Sequence, residues 1–436
     1  MKIKTIWLAA LVALFAVASV FAESKSKKEL AEMAVSADSA RSVEAIKNLR
    51  TMGKDGLETL FQTYSAEIAK FSATGEGGED WRRIAFALDS VAAQKDAYAS
   101  NLFWFTDLEE AKKEADKSNK PILSLRLLGN LNEEFSCANS RFFRALLYSN
   151  TEVSKYLREN YVLHWKSVRP VPRVTIDFGD GRKIERTITG NSIHYILDEN
   201  GAIIDAIPGL YSPADFLKYL TKGSEINKTT AALPEEQKEL ARLRYRRQMF
   251  NEIYKKRVDL IEFAKVSLTE PKDDAGAFPK ENPDALETAP RAVTKMITER
   301  SILTGISDNF SRYAPQINLD DWKKLSVYYA GNTKLDDASI AFIKRQNKQS
   351  GLTGEQFASL LTNLKNYVAL DTTRNDFLFH TKLYEWLNQE RAKPLELESF
   401  NSKVYANLFK TPDSDKWLGL YDTDVYTALD GNGIIK

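Results

Sequence analysis

The 436-residue chain reads as an α+β multidomain protein, with a central α/β domain flanked by N- and C-terminal α-helical segments. Three observations predict this. Apolar residues recur at helical spacing early in the chain, as in Leu57, Leu60, Tyr64, Ile68 and Phe71, and again after about residue 228. Between these segments, short apolar runs bounded by Gly, Pro, Asn and Asp alternate with helical patterns. The length suits about three domains at ~150 residues each.

Residues 1–22 read as a secretory signal. Lys2 and Lys4 precede an apolar run over 6–20, and Val20 and Ala22 stand at the small-residue positions before Glu23-Ser24-Lys25. The run is shorter than the ~20 residues of a membrane helix. Cleavage after Ala22 is expected, with a periplasmic or secreted mature chain and no stable membrane span. Residues 23–100 are expected to be helical. Asp38 caps a helix over 39–52, with Ala40, Val43, Ile46 and Leu49 marking its phase and Gly53 its stop. A second helix carries 57–71, Gly75-Glu76-Gly77-Gly78 ends it, and a third runs over 81–98.

Residues 101–225 change character. A charged helix over 108–117 leads through Asn119-Lys120-Pro121 into a strand at 122–128. Helical spacing returns at Phe142, Phe143, Leu146 and Leu147, then at Val153, Tyr156 and Leu157. A strand at 161–168 follows, and 174–178 and 183–188 flank Gly179-Asp180-Gly181 as a hairpin. Strands at 193–197 and 202–207 precede a helix opened by Ser212-Pro213, with Pro at its favoured first position. The order is β-α-β, an inserted hairpin, then β-β-α.

Residues 226–436 are expected to form an α-helical domain. A long helix spans 234–268, and its basic stretch Arg242 to Arg247 reads as a solvated face. Residues 272–290, rich in Pro, Asp, Glu and Ala, read as a linker. Helices follow at 321–329, 337–347, 355–368 and 375–391. Trp417, Leu418, Leu420, Tyr421, Val425 and Tyr426 are expected to pack back on the body.

Composition narrows the chemistry. Lys plus Arg is 61 against 60 for Asp plus Glu, which argues against a nucleic-acid footprint. One cysteine excludes an internal disulfide and a zinc or iron–sulfur centre built on this chain's thiols alone. His164, His194 and His380 show no metal-ligand spacing. No cofactor and no metal are expected; unknown protein partners are.

Several runs fall in a familiar order. They are Trp104-Phe105 and Asp107-Leu108-Glu109-Glu110-Ala111 before Lys120-Pro121-Ile122-Leu123, then Cys137-Ala138-Asn139-Ser140 at a helix start. Asn160-Tyr161-Val162, Thr189-Gly190-Asn191, Leu197-Asp198-Glu199-Asn200-Gly201 and Pro208-Gly209 follow. Over about 120 residues the chain resembles the thioredoxin-fold superfamily. Phe135 to Phe143, Trp165 to Pro172, Asn191 to Tyr195 and Val404 to Phe409 also resemble a group of bacterial secreted proteins with this domain, a likeness that brings no activity with it.

The resemblance implies a site and two departures from it. Redox members carry Cys-x-x-Cys at a helix N-terminus, where the helix dipole favours the thiolate. Cys137 matches the first position and Ser140 stands at the second, so a dithiol cycle cannot run within this chain. Glu133 and Glu134 would oppose thiolate formation. The family's cis-proline position falls at Ser192 or Ile193, where a cis bond would cost ~3 kcal/mol. His194 would lie near the start of the Cys137 helix and could take the thiol's proton. The expected function is therefore an exported envelope protein with a degenerate thioredoxin-like domain in a binding or scaffold role. The alternative is monothiol exchange through Cys137 with an external resolving thiol.

Overall fold

The computed structural model describes residues 26–187, 190–266, 319–389, 395–409, 411–414, 416–417 and 428–429. The expected signal at 1–22, the linker at 272–290 and most of the terminal aromatic run lie outside them. Trp417 is described and is 49% exposed. The chain divides between Ala92 and Ala93 into two compact units.

The first unit holds five helices: α1 (Lys27–Ala34), α2 (Ser39–Thr51), α3 (Lys54–Thr63), α4 (Ser65–Thr74) and α5 (Glu79–Ala92). Asp38 caps α2, accepting from the amides of Ala40 and Arg41. The buried stripe of α2 is Ser42, Ala45 and Leu49, whereas Val43 is 59% exposed, one position out of the expected phase. The reason is polar: Ser42 donates to the Ala34 carbonyl at 2.7 Å and Arg50 to the Val91 carbonyl at 2.8 Å, turning that side inward. At Gly56 a Cβ would stand 1.9 Å from the Leu49 carbonyl oxygen, so α2 and α3 close only over glycine. The expected helix over 57–71 is two helices broken at Tyr64, whose hydroxyl reaches the Ala31 carbonyl. The expected helix over 81–98 ends at Ala92, and Ala93 takes positive φ.

The second unit is built on a mixed five-stranded sheet in the order β1-β3-β2-β6-β7. Its strands are β1 (Trp104–Phe105), β2 (Ile122–Leu128), β3 (Val162–Arg169), β6 (Ser192–Leu197) and β7 (Ile203–Pro208). β1, β3 and β2 run parallel, and β6 and β7 run antiparallel to their neighbours. The hairpin strands β4 (Arg173–Asp177) and β5 (Lys183–Thr187) form a separate two-stranded ribbon. All of β2, β6 and β7 is buried, which is why they read as mostly apolar runs. Helix α6 (Leu108–Ser118), capped by Asp107, joins β1 to β2. Helix α7 (Ala138–Phe142), a π-helical segment Phe143–Tyr148, and α8 (Thr151–Asn160) join β2 to β3.

Register sorts the sheet into two faces. Leu125 pairs with His194 and Leu127 with Ser192, so these share a face, which the Phe143 and Phe216 rings cover. Ser124 pairs with both His164 and Tyr195, and these with Arg126 line the other face. These four polar side chains are all buried.

Helices follow the last strand in the chain. They are α9 (Pro213–Thr230), α10 (Glu235–Ala264), α11 (Leu319–Ser326), α12 (Asp337–Gln346), α13 (Gly354–Arg374), α14 (Thr381–Gln389) and α15 (Leu397–Lys403). The expected helices at 355–368 and 375–391 are one rod, α13 and α14 joined by a π-helical segment Asn375–His380. α15 docks on the polar face. Glu398 takes the Arg126 guanidinium at 2.9 Å, and Asn401 accepts from the Tyr195 hydroxyl at 3.2 Å. The basic stretch of α10 is not a solvated face throughout. Arg242 and Arg246 are buried and ion-paired, Arg242 to Asp198 and Glu235 and Arg246 to Glu239. The acids that hold them sit partly on the β6–β7 turn, which helical spacing alone does not reveal. No helix among the described residues is long and apolar enough to cross a membrane.

Removing one partner of a buried charge costs more than removing the charge itself. Glu398→Ala strands Arg126 and is expected to lower stability by about 1–3 kcal/mol. Arg126→Met is expected to cost less. Chemical denaturation of both variants checks the order, and a larger loss for Arg126→Met would contradict it.

Candidate functional site

The sequence points to the turn after β2, and local geometry fixes it. Gly129 takes φ +72, where a side chain would also crowd Val171 and Ser136. The chain then doubles back so that the Cys137 amide donates to the Leu128 carbonyl at 3.0 Å. Cys137 is the N-cap of α7, but its thiol makes no hydrogen bond to the helix amides. The helix is only five residues long before the π-helical segment. The helical backbone continues without a break through that segment, so what the thiol lacks is a helix amide bonded to it.

Cys137 has no solvent exposure. Its Sγ lies 3.6 Å from Ser192 Oγ, at the first residue of β6. Ser192 thus occupies the place where the resemblance expects a cis-proline, and every described peptide bond is trans. Ser140, at the second-cysteine position, donates to the Cys137 carbonyl at 2.8 Å and lies 2.6 Å from the Ser136 hydroxyl. It ties down the turn and does not face the thiol's partner. Glu133 is exposed and accepts from Asn130, and Glu134 is exposed with its carbonyl on Arg144.

His194 is not brought to the thiol as a hydrogen-bond partner. Its Nε2 lies 2.7 Å from the Tyr148 hydroxyl, and its Nδ1 has no partner among the described residues. The rings of Phe143 and Phe216 sit 4.6 and 5.0 Å from it. Burial in that setting pushes its pKa down to about 3, so it is a neutral and weak base at pH 7. Asn139, two residues beyond Cys137, is buried with neither side-chain amide atom partnered among the described residues.

The other histidines are separated by the fold. His164 is on the opposite face of the sheet, 2.8 Å from Ser124 Oγ, and burial together with Arg126 and Lys166 lowers it to about 3. His380 is in the π-helical segment of the C-terminal rod, with Nε2 3.2 Å from Asp205 and Nδ1 3.2 Å from the Tyr211 hydroxyl. Asp205 also accepts from Tyr245 at 2.6 Å and Tyr384 at 3.1 Å. Burial raises its pKa, but His380, Tyr245 and the Ala206 amide outweigh that and hold it below the ordinary carboxylate value. Among the described residues no three His, Cys, Asp or Glu gather as a metal site would require.

What closes the thiol turn was not evident from motifs. The Tyr405 hydroxyl donates to the Asn191 carbonyl at 3.2 Å, and the Asn191 amide donates to Thr411 Oγ1 at 3.1 Å. Arg169 at the end of β3 holds the carbonyls of Thr411 and Pro412 at 2.8 and 3.1 Å. The segment after α15 is thus fastened to the residue next to Ser192. Val404, Tyr405, Leu408 and Phe409 are buried there. The aromatic and small-polar run over 404–411 was the available signal, but its target 220 residues upstream was not readable. Comparison with family models, curated proteins and solved structures found no match.

The buried histidines set an acid response. An unfolded His binds its proton near pH 6.5, whereas His164 and His194 resist it down to about 3 in the folded chain. The unfolded state therefore binds more protons between these values, and stability falls as pH drops from about 6.5 towards 3. Asp205 adds its own loss below ~3.9, its contribution being present above the unfolded pKa and lost as pH falls through the folded one. Denaturant titrations at stepped pH should show this slope, flattened in His194→Phe. An unchanged slope in that variant would contradict the assignment.

Proposed function

We propose that this chain is an exported envelope protein in which a thioredoxin-like central domain serves binding or scaffolding and not thiol–disulfide chemistry. The observation that carries the reading is the sealed thiol. Cys137 has no exposure, faces the Ser192 hydroxyl, and lies beside a turn fastened by the chain's own C-terminal segment. A thiolate must reach a substrate sulfur to exchange, so access alone disables the turn before reactivity is considered.

The strand order, with three parallel strands followed by two antiparallel ones and a ribbon inserted between them, supports the thioredoxin-like reading. The expectation of export rests on residues 1–22 of the sequence. Monothiol exchange through Cys137 draws on its helix N-cap position, but the absent thiol–amide bond weakens that argument. Neutral His194, held by Tyr148, does not supply a base in its place.

The purified protein and Cys137→Ser, each incubated with a mixed-disulfide substrate, are expected to behave alike. Partners trapped covalently on Cys137 under native conditions would overturn the reading and favour exchange.

A further inference from the structure

The ribbon of β4 and β5 is the one sheet among the described residues with no helix or third strand against it in its hydrogen-bonding plane. Isolated two-stranded ribbons are marginal in water and gain from a further strand. Apolar side chains stay open on one of its faces: Ile176 and Ile184, directly paired, are each 36% exposed, and Phe178 is 52% exposed. The other face carries alternating charges, with Arg173 paired to Glu185 and Asp177 to Lys183.

Register determines which backbone groups of β4 are unspent. The Phe178 amide donates to the Arg182 carbonyl, directly opposite it in the ladder. In an antiparallel pair such bonded positions alternate, so Ile176 and Val174 turn their amides and carbonyls to β5. Arg173, Thr175 and Asp177 therefore turn theirs outward, where no described backbone group meets them. Pro172 and Gly179 bound this edge at either end. Within it there is no Pro and no bulge, and its two charges, Arg173 and Asp177, are of opposite sign.

The edge is complementary to itself. An antiparallel pairing of two copies centred on Thr175 sets Thr175 against Thr175, Arg173 against Asp177 and Val174 against Ile176. All three outward positions then fall into bonded pairs, with about six backbone hydrogen bonds across the two-fold axis. Threonine pairs and opposite charges are both favourable cross-strand neighbours. The same operation on β5, centred on Glu185, sets two glutamates against each other. Charge complementarity thus selects one edge and one occupant.

We propose that the outer edge of β4 is a self-association surface, on which a second copy of this chain pairs through Arg173, Thr175 and Asp177 to make a four-stranded ribbon. The interface is isologous, as closed two-fold dimers require. A five-residue pairing is at the small end of specific interfaces, so the dimer forms and dissociates with concentration.

Sedimentation velocity of the full chain is expected to show a monomer–dimer equilibrium up to about 100 μM, the range in which a weak specific contact is populated. Thr175→Pro is the decisive variant. The Thr175 amide points away from β5, so proline there leaves the hairpin ladder intact and removes the central bonds of the dimer. Its expected sedimentation is monomeric throughout, with an unchanged circular dichroism spectrum. A wild type that stays monomeric over the range overturns the proposal, as does a Thr175→Pro dimer of unchanged strength. A folded Glu185→Pro variant, which removes the outward amide of β5 in the same way, keeps the dimer if the β4 edge is used and loses it if β5 is.

Discussion

A guanidinium buried in the middle strand of a sheet cannot be left without a carboxylate. Arg126 is such a group: it lies in β2, inaccessible to water, with Ser124 and His164 on one side and Glu398 on the other. Leaving it unpaired would cost about 1–3 kcal/mol. Its carboxylate comes from α15, 272 residues later, and the rest of the arrangement follows. With α15 on the polar face, Asn401 meets Tyr195 and the next turn carries Tyr405 to Asn191. Thr411 and Pro412 then reach Arg169 and Asn191 at the end of the sheet where Cys137 lies. The closed thiol is thus a consequence of how a polar sheet face is satisfied.

A second buried network does the same for β7. Asp205 at the sheet edge is met by Tyr245 from α10, by His380 and by Tyr384 from the C-terminal rod. Nearby, Asp376 accepts from Tyr219 at 2.7 Å and Tyr329 at 2.8 Å. Each carboxylate is surrounded by donors from different elements, so the pairing is specific as well as affordable only when all the elements are docked. The π-helical segment Asn375–His380 helps explain the fit. Its extra residue per turn shifts the phase of the rod so that Asp376 and His380 both turn inward.

Much of this was legible in the sequence because it is local. The run at 122–128 is buried on both faces and so mostly apolar, broken only by Ser124 and Arg126, and Asp38 and Ser212 announced their helices through capping chemistry. The turn bearing Cys137 and the hairpin were readable for the same reason. What escaped was long-range. The inward phase of α2 depends on Ser42 reaching Ala34, and the burial of Arg242 depends on Asp198 in a distant turn. His194 shares a face with Ser192, as expected of alternate strand residues, but Tyr148 captured it, and a partner chosen by a π-helical segment leaves no periodic trace. Spacing tells which residues face inward and not which buried polar group will find which.

A thiol turn sealed by the folded body opens only when that body unfolds. Pulsed alkylation of Cys137 through a denaturant series measures the free energy and surface exposure of the opening that admits the reagent. Both are expected to match global unfolding, with the same dependence on denaturant as the main transition. Labelling through a low-energy opening that exposes little surface would contradict it, because the turn would then be reachable in a folded chain.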